Sequence, residues 1–188
     1  MQSVVISNMT KELFSNALKI HIKVKPINKI TIQELSTECG LSRRTFYRHF
    51  QDIYDLLEWS YQTEIKNKIE PYMDFDHWQK GLLDLFDYFY SNKETSISII
   101  KYSRREYLEK FLNSILMDSI KPVMEQESHY INLPNDKKNF LIKFYTLSFT
   151  TLLINWIEEG MQDSPEKIID SVWKILNGSI LRISSDSL

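Results

Sequence analysis

Cysteine, glycine and proline are all scarce in this 188-residue chain, at one, four and five residues. A single cysteine excludes an intrachain disulfide and fits a reducing compartment, so Cys39 is expected to be a small core residue. So few turn-formers argue against an all-β chain, which needs a turn about every 8–12 residues. No uninterrupted apolar run reaches the roughly 18 residues that span a bilayer. Nor does a charged start lead into an apolar stretch and a small-residue cleavage site. The expectation is a cytoplasmic protein with no membrane partner. Catalytic frameworks are missing as well: no nucleophile elbow, no phosphate-binding glycine loop, no Cys/His framework. Neither an enzyme nor a cofactor is expected. Asp74-Phe75-Asp76-His77 is the densest set of potential metal ligands, but its spacing matches no established site and reads as an exposed loop. His21, His49 and His129 lie far apart in sequence, and Glu158-Glu159 diverge on a helix.

What is present is a core and an uneven distribution of charge. Hydrophobic residues make up 43% of the chain, which excludes global disorder and suits one compact unit or two sharing a helix. The net charge of −2 hides an asymmetry. Residues 1–51 hold eight Lys/Arg against three acids, whereas residues 52–188 hold fifteen against twenty-two. A basic head on an acidic body suits a protein that meets phosphate with one end.

The basic segment contains the most organised stretch, residues 30–50. Thr31 and Glu34 form a Thr-x-x-Glu capping box ahead of Ile32, Leu35 and Cys39, which share one helical face. Gly40 can take the left-handed conformation that stops this helix. Ser42 is a good N-cap for a second helix over Ser42–Phe50, with Leu41, Phe46 and Phe50 as apolar pegs. That helix carries Arg43, Arg44, Thr45, Tyr47 and Arg48. Two helices joined by a short Gly-containing turn, the second cationic, read as a helix-turn-helix DNA reader. Arg43 and Arg44 suit bidentate contacts to guanine, and Thr45 a base edge or phosphate. Thr31, at a helix N-terminus, suits a phosphate.

The run Ser-x-x-Thr-Phe-Tyr-x-His-Phe from Ser42 to Phe50, with Ile-Thr-Ile-Gln-Glu-Leu before it, resembles the DNA-binding region of TetR-type bacterial transcription regulators over about residues 10–60. The resemblance implies phosphate contacts at Tyr47 and His49. It also implies a homodimer on a pseudo-palindromic DNA operator. The chain departs from the pattern at Ile53, where such regulators usually place a phosphate-contacting Lys.

The periodicity predicts an all-α chain of about nine helices. A three-helix head in residues 1–56 is joined by a long helix to an effector-binding and dimerisation body in residues 57–188. Residues 1–8 are expected to fray, with a first helix from Met9 to Lys23, capped by Thr10 and ended by Pro26. Further helices are expected from Asp52 to Ile69, His77 to Ser91, Ser96 to Tyr102 and Arg104 to Glu127, the last kinked or ended by Pro122. Asn132–Asn135 is expected as a turn, leading to a long helix from Asp136 to Glu159, closed by Gly160. A final helix starts at Ser164-Pro165 and is expected to stop at Leu176, before Asn177-Gly178.

The last two helices carry Phe140, Phe144, Leu147, Ser148, Thr151, Leu152, Asn155 and Trp156, and Ile168, Ile169, Val172, Trp173 and Leu176. Such stripes suit either a core or an interface. The resemblance implies that they form the dimer contact. It also implies an effector cavity within helices five to eight, for which the aromatic candidates are Trp59, Phe86, Phe89, Tyr102, Tyr107, Phe111, Phe144 and Tyr145. The effector would be an unidentified small molecule or a protein co-regulator. Repression is the commoner mode among such regulators. A weaker likeness over Phe144–Gly160 and Ser164–Glu166, to regulators of dihydroxyacetone kinase genes, leaves activation through a kinase-related co-regulator open. The competing readings are an interaction module whose helix-turn-helix no longer reads DNA, and an all-α enzyme with a buried site.

Overall fold

A computed structural model describes the backbone of residues 2–72, 74, 76–103, 105–130 and 134–185, and their side chains apart from those of 2–4, 69–70, 127–130 and 176–185. Among these residues there are nine α-helices, two single-turn 3-10 segments and no strand. The helices are α1 (Gln2–Ile22), α2 (Ile32–Cys39), α3 (Arg43–Tyr47), α4 (Ile53–Ile69), α5 (Trp78–Ser91), α6 (Lys93–Tyr102), α7 (Arg105–Tyr130), α8 (Asn135–Glu158) and α9 (Pro165–Ser185). They form two compact units, residues 1–64 with 94–111, and residues 65–93 with 112–188.

In the first unit, Phe14, Leu18, Ile27, Leu35, Phe46 and Leu56 are almost wholly buried. Phe14 meets Phe46 edge-on at 5.2 Å between ring centres, which ties α1 to α3. Residues 57–64 and 94–111 cluster with this unit through aromatic contacts. Tyr54 stacks on Tyr107 at 6.0 Å and donates to the Tyr102 carbonyl (3.3 Å), and Tyr61 meets Phe111 edge-on.

Helix α1 starts at Gln2, so the expected frayed arm is helical. Thr10 is not its cap: the hydroxyl donates to the Ile6 carbonyl one turn back (2.9 Å), as a mid-helix threonine does. Phe14, Ala17 and Leu18 make the buried stripe of α1, while Leu13 beside them is exposed. At the other end of the head, the regular part of α3 is five residues long, shorter than the expected Ser42–Phe50, and Arg48 forms its C-cap.

The second unit is built from α5, the later part of α7, α8 and α9. Leu85, Phe86, Leu112, Leu116, Leu153, Ile154 and Ile157 form its core. Helix α8 closes at Gly160 (φ 80°), where Met161 N–H returns to the Trp156 carbonyl (2.8 Å). Pro122 does not end α7, which continues to Tyr130. Helix α9 likewise continues through Gly178 to Ser185. A glycine inside a helix costs only about 1 kcal/mol, and the sequence keeps Ile180, Leu181 and Ile183 in helical register beyond it. The Leu176 side chain and residues 132–133 of the expected turn lie outside the described residues. So do Phe75 and Arg104.

Helix α8 qualifies by length and composition as a membrane span, which the count of uninterrupted apolar residues did not show. Of its most apolar stretch, 56% is buried inside the fold, so its apolarity serves packing.

Candidate nucleic-acid interface

Helices α2 and α3 are short, and a short helix loses much of its stability to unsatisfied end groups. In this protein polar side chains satisfy those ends. Thr31 Oγ1 accepts from Glu34 N–H (3.3 Å), while Glu34 Oε2 accepts from Thr31 N–H and from its hydroxyl (both 2.8 Å). Lys25 Nζ reaches the other Glu34 oxygen at 2.5 Å. The Lys25 and Thr31 bonds together pull the Glu34 carboxyl down to a pKa of about 2. Gly40, at φ 64°, ends α2, and Leu41 N–H closes on the Ser36 carbonyl (2.9 Å). Ser42 Oγ then caps α3 by accepting from Thr45 N–H (3.1 Å), and its oxygen is 2.9 Å from the Thr45 hydroxyl.

This chemistry sorts the predicted contact residues. The hydroxyls of Thr31, Ser42 and Thr45 are engaged in capping. Arg43, Arg44, Arg48 and Tyr47 are exposed on α3 and its C-cap. Among the described residues no carboxylate pairs with any of the three arginines, whereas Lys19 and Lys25 of the same unit are paired with Glu64 and Glu34. Phe46, wholly buried, anchors this row from beneath.

His49 is half-buried, with Nε2 shut off from solvent and Nδ1 3.5 Å from Ser7 Oγ. Burial, then the charges of Arg48 and Lys11, lower its pKa, so the ring is neutral near pH 7. Lys11 lies over the Phe50 and Trp59 rings at 5.8 and 5.5 Å. Ser7 and Lys11 were missed as contributors because residues 1–8 read as frayed and Lys11 was counted only as charge. Their spacing with Phe14 and Leu18 continues the buried stripe of α1 by two turns, and that was the available signal. Cys39 is half-buried, donates its thiol to the Leu13 carbonyl (3.3 Å) and has its pKa raised by burial.

The effector candidates divide between the units. In the first unit, Trp59 lines a polar cleft of about 190 Å³ together with Glu12, Ser15, Lys19, Ser60 and Glu64. Phe111 is buried there, while Tyr102 and Tyr107 are exposed. In the second unit Phe86, Phe89 and Tyr145 are buried and Phe144 is 51% exposed.

The interface candidates divide too. Phe144, Leu147 (49%), Ser148, Thr151, Leu152 (37%) and Asn155 form an exposed stripe on α8. Trp156, Ile169 and Val172 are buried by the chain's own packing. Trp156 lies 5.0 Å from Phe86 and donates Nε1–H to the Asp163 carbonyl, and half-buried Trp173 meets Trp78. Among the described residues no group of three potential ligands could hold a metal, and the His77 ring lies within hydrogen-bond distance of the Asp74 carboxylate.

Two family models match the chain. The one described as "Bacterial regulatory proteins, tetR family" covers residues 22–58, and the one described as "Transcriptional regulator C-terminal region" covers residues 76–178. The HTH-type dhaKLM operon transcriptional activator DhaS of Lactococcus lactis is 22% identical over 180 residues, covering 93% of this chain and 92% of that protein. Among solved structures, the dihydroxyacetone kinase operon activator DhaS superposes with a TM-score of 0.70 at 20% identity, covering 91% of this chain and 96% of that one. The TetR family repressor AlkX of a Dietzia species, implicated in biodegradation of n-alkanes, gives 0.57 at 12% identity, covering 92% and 95%. At these identities the superpositions speak for the fold.

Proposed function

The chain belongs to the tetR family of bacterial transcription regulators, and on that premise we propose that it works as a homodimer on a pseudo-palindromic operator. Each α3 enters a major groove. Arg43 and Arg44 read guanine edges, Tyr47 and Arg48 hold phosphate, and Thr31, Ser42 and Thr45 fix the helix ends and offer backbone N–H groups. His49 acts chiefly by holding α1 against α3. The observation that carries this reading is the row of three arginines that, among the described residues, have no carboxylate partner, on a helix and C-cap whose N-cap and buried Phe46 fix their place. Exposed arginines with no partner are free to exchange solvent counterions for phosphate.

The exposed α8 stripe from Phe144 to Asn155 serves as the contact between two copies, with α9 beside it. An effector, small molecule or protein, acts by binding one separation of the two heads more tightly than another. The near full-length likeness to an activator of the dhaKLM operon favours activation over the repression expected from the family's commoner habit. The likeness in fold to a repressor keeps the second reading in play. The site of action is the cytoplasm, where the operator is.

The test is binding to duplex DNA from upstream of the gene and its neighbours, against a scrambled duplex, at two salt concentrations. Specific, salt-sensitive binding is expected, and Arg44→Ala should cost about 1–3 kcal/mol at the cognate site while relaxing sequence preference. Equal binding to both duplexes, unchanged by Arg44→Ala, counts against the reading.

A further inference from the structure

We propose that Lys11 is a further DNA-backbone contact of the head, supplying the phosphate-binding cation that the start of α4 lacks. The inference rests on the reading of α3 as a DNA reader.

The first turn of α4 is already occupied. Asp52 Oδ1 accepts from the N–H groups of Tyr54 (2.8 Å) and Asp55 (2.9 Å), and Asp55 Oδ2 accepts from Gln51 N–H (2.9 Å). Two carboxylates therefore stand where a helix start would otherwise hold an anion, and Ile53, the first residue of α4, adds no positive charge. A phosphate reaching this edge is repelled unless another element brings a cation.

Lys11 comes to the same edge from α1. Its Nζ lies 5.8 Å from the centre of the Phe50 ring, just ahead of α4, and 5.5 Å from that of Trp59, in the second turn of α4. Its charge is felt at His49, at the C-terminal side of α3. Lys19 and Lys25 are neutralised by Glu64 and Glu34, while among the described residues no carboxylate pairs with Lys11. Aromatic faces fix an ammonium in place without cancelling its charge. A half-buried lysine held in this way has less freedom to lose when it meets a phosphate.

The experiment titrates full-length protein against operator and scrambled duplexes over a range of salt, with melting followed by circular dichroism. Lys11→Gln should weaken both duplexes by the same factor and make the slope of log K against log salt shallower by about 0.9 per subunit. Lys11→Arg should keep the wild-type slope, and Ile53→Lys in the Lys11→Gln background should restore it. Arg44→Ala should instead narrow the gap between the two duplexes. A wild-type slope in Lys11→Gln overturns the proposal, whether melting is unchanged or lowered, because Lys11 then serves only the fold or nothing. If the wild-type protein does not separate operator from scrambled DNA, DNA reading fails first and the Lys11 contact falls with it.

Discussion

The two units solve the same problem, holding helices together, by different means. In the head the two reader helices, α2 and α3, are short, and their ends are fixed by local groups: the Thr31–Glu34 box, Gly40 and Ser42, with Asp52 capping α4 behind them. In the second unit the helices are long and few ends carry a side-chain cap. Pro134 precedes α8 with no capping hydrogen bond, yet the helix runs 24 residues over a core of Ile142, Phe149, Leu153, Ile154 and Ile157. Short helices need local chemistry because nucleation is costly and only a few side chains can be buried. Long helices can draw on area instead. The head is therefore sensitive to single polar substitutions, and the second unit mainly to cavities.

The largest effect expected from this contrast lies where the head does depend on area. Phe46→Ala should cost about 3–5 kcal/mol in chemical denaturation, because the ring is wholly buried against Phe14 and Phe50. DNA binding should be lost with it. A cost under about 1 kcal/mol would show that α3 is not seated as described.

Next come the two left-handed glycines, one in each unit. Gly40→Ala and Gly160→Ala should each cost about 1–2 kcal/mol through backbone conformation alone, since no atom lies closer than ordinary contact to either new methyl group. Unequal costs would mean that one turn can rearrange and the other cannot.

The smallest effect is the pH dependence of the capping box. Glu34, drawn down to about 2 by Lys25 and Thr31, contributes stability that is complete above the ordinary glutamate range. That contribution is lost as pH falls from about 4.5 toward 2. Urea midpoints of the wild type and of Glu34→Gln should therefore differ near pH 6 and draw together steadily as pH falls toward 2. A constant gap would remove the ionised carboxylate from the account.

Legibility in the sequence followed the same division. The capping box, the Gly40 turn, the Ser42 cap and the Asp52 start of α4 all rest on bonds between residues two to five apart, and their spacing is visible in the chain. The start of α1 was misread for a related reason. Thr10 is a residue type that favours N-caps, but its hydroxyl bonds equally well to a carbonyl four residues back once the helix continues. The end of α9 was misread because Asn177-Gly178 is a common stop that a continuing apolar register can override.

On α8 the periodicity identified a stripe without dividing it. Phe144 and Tyr145 are neighbours of similar size and polarity, yet one is exposed and the other buried. Trp156 belongs to the same spacing as Leu152, but Phe86 and the Asp163 carbonyl take it into the core.

By itself the sequence determined that this is an all-helical protein with a basic, capped helix-turn-helix near one end and aromatic-rich long helices after it. Helical period, capping spacing and charge distribution are properties of nearby residues, and they survive reading in one dimension. Only the tertiary structure decided that Ser7 and Lys11 reach the His49–Phe50 corner, and that Trp156, alone of the α8 stripe, is already covered by the chain's own core. Periodicity tells which residues share a face, whereas packing between distant segments decides what that face meets.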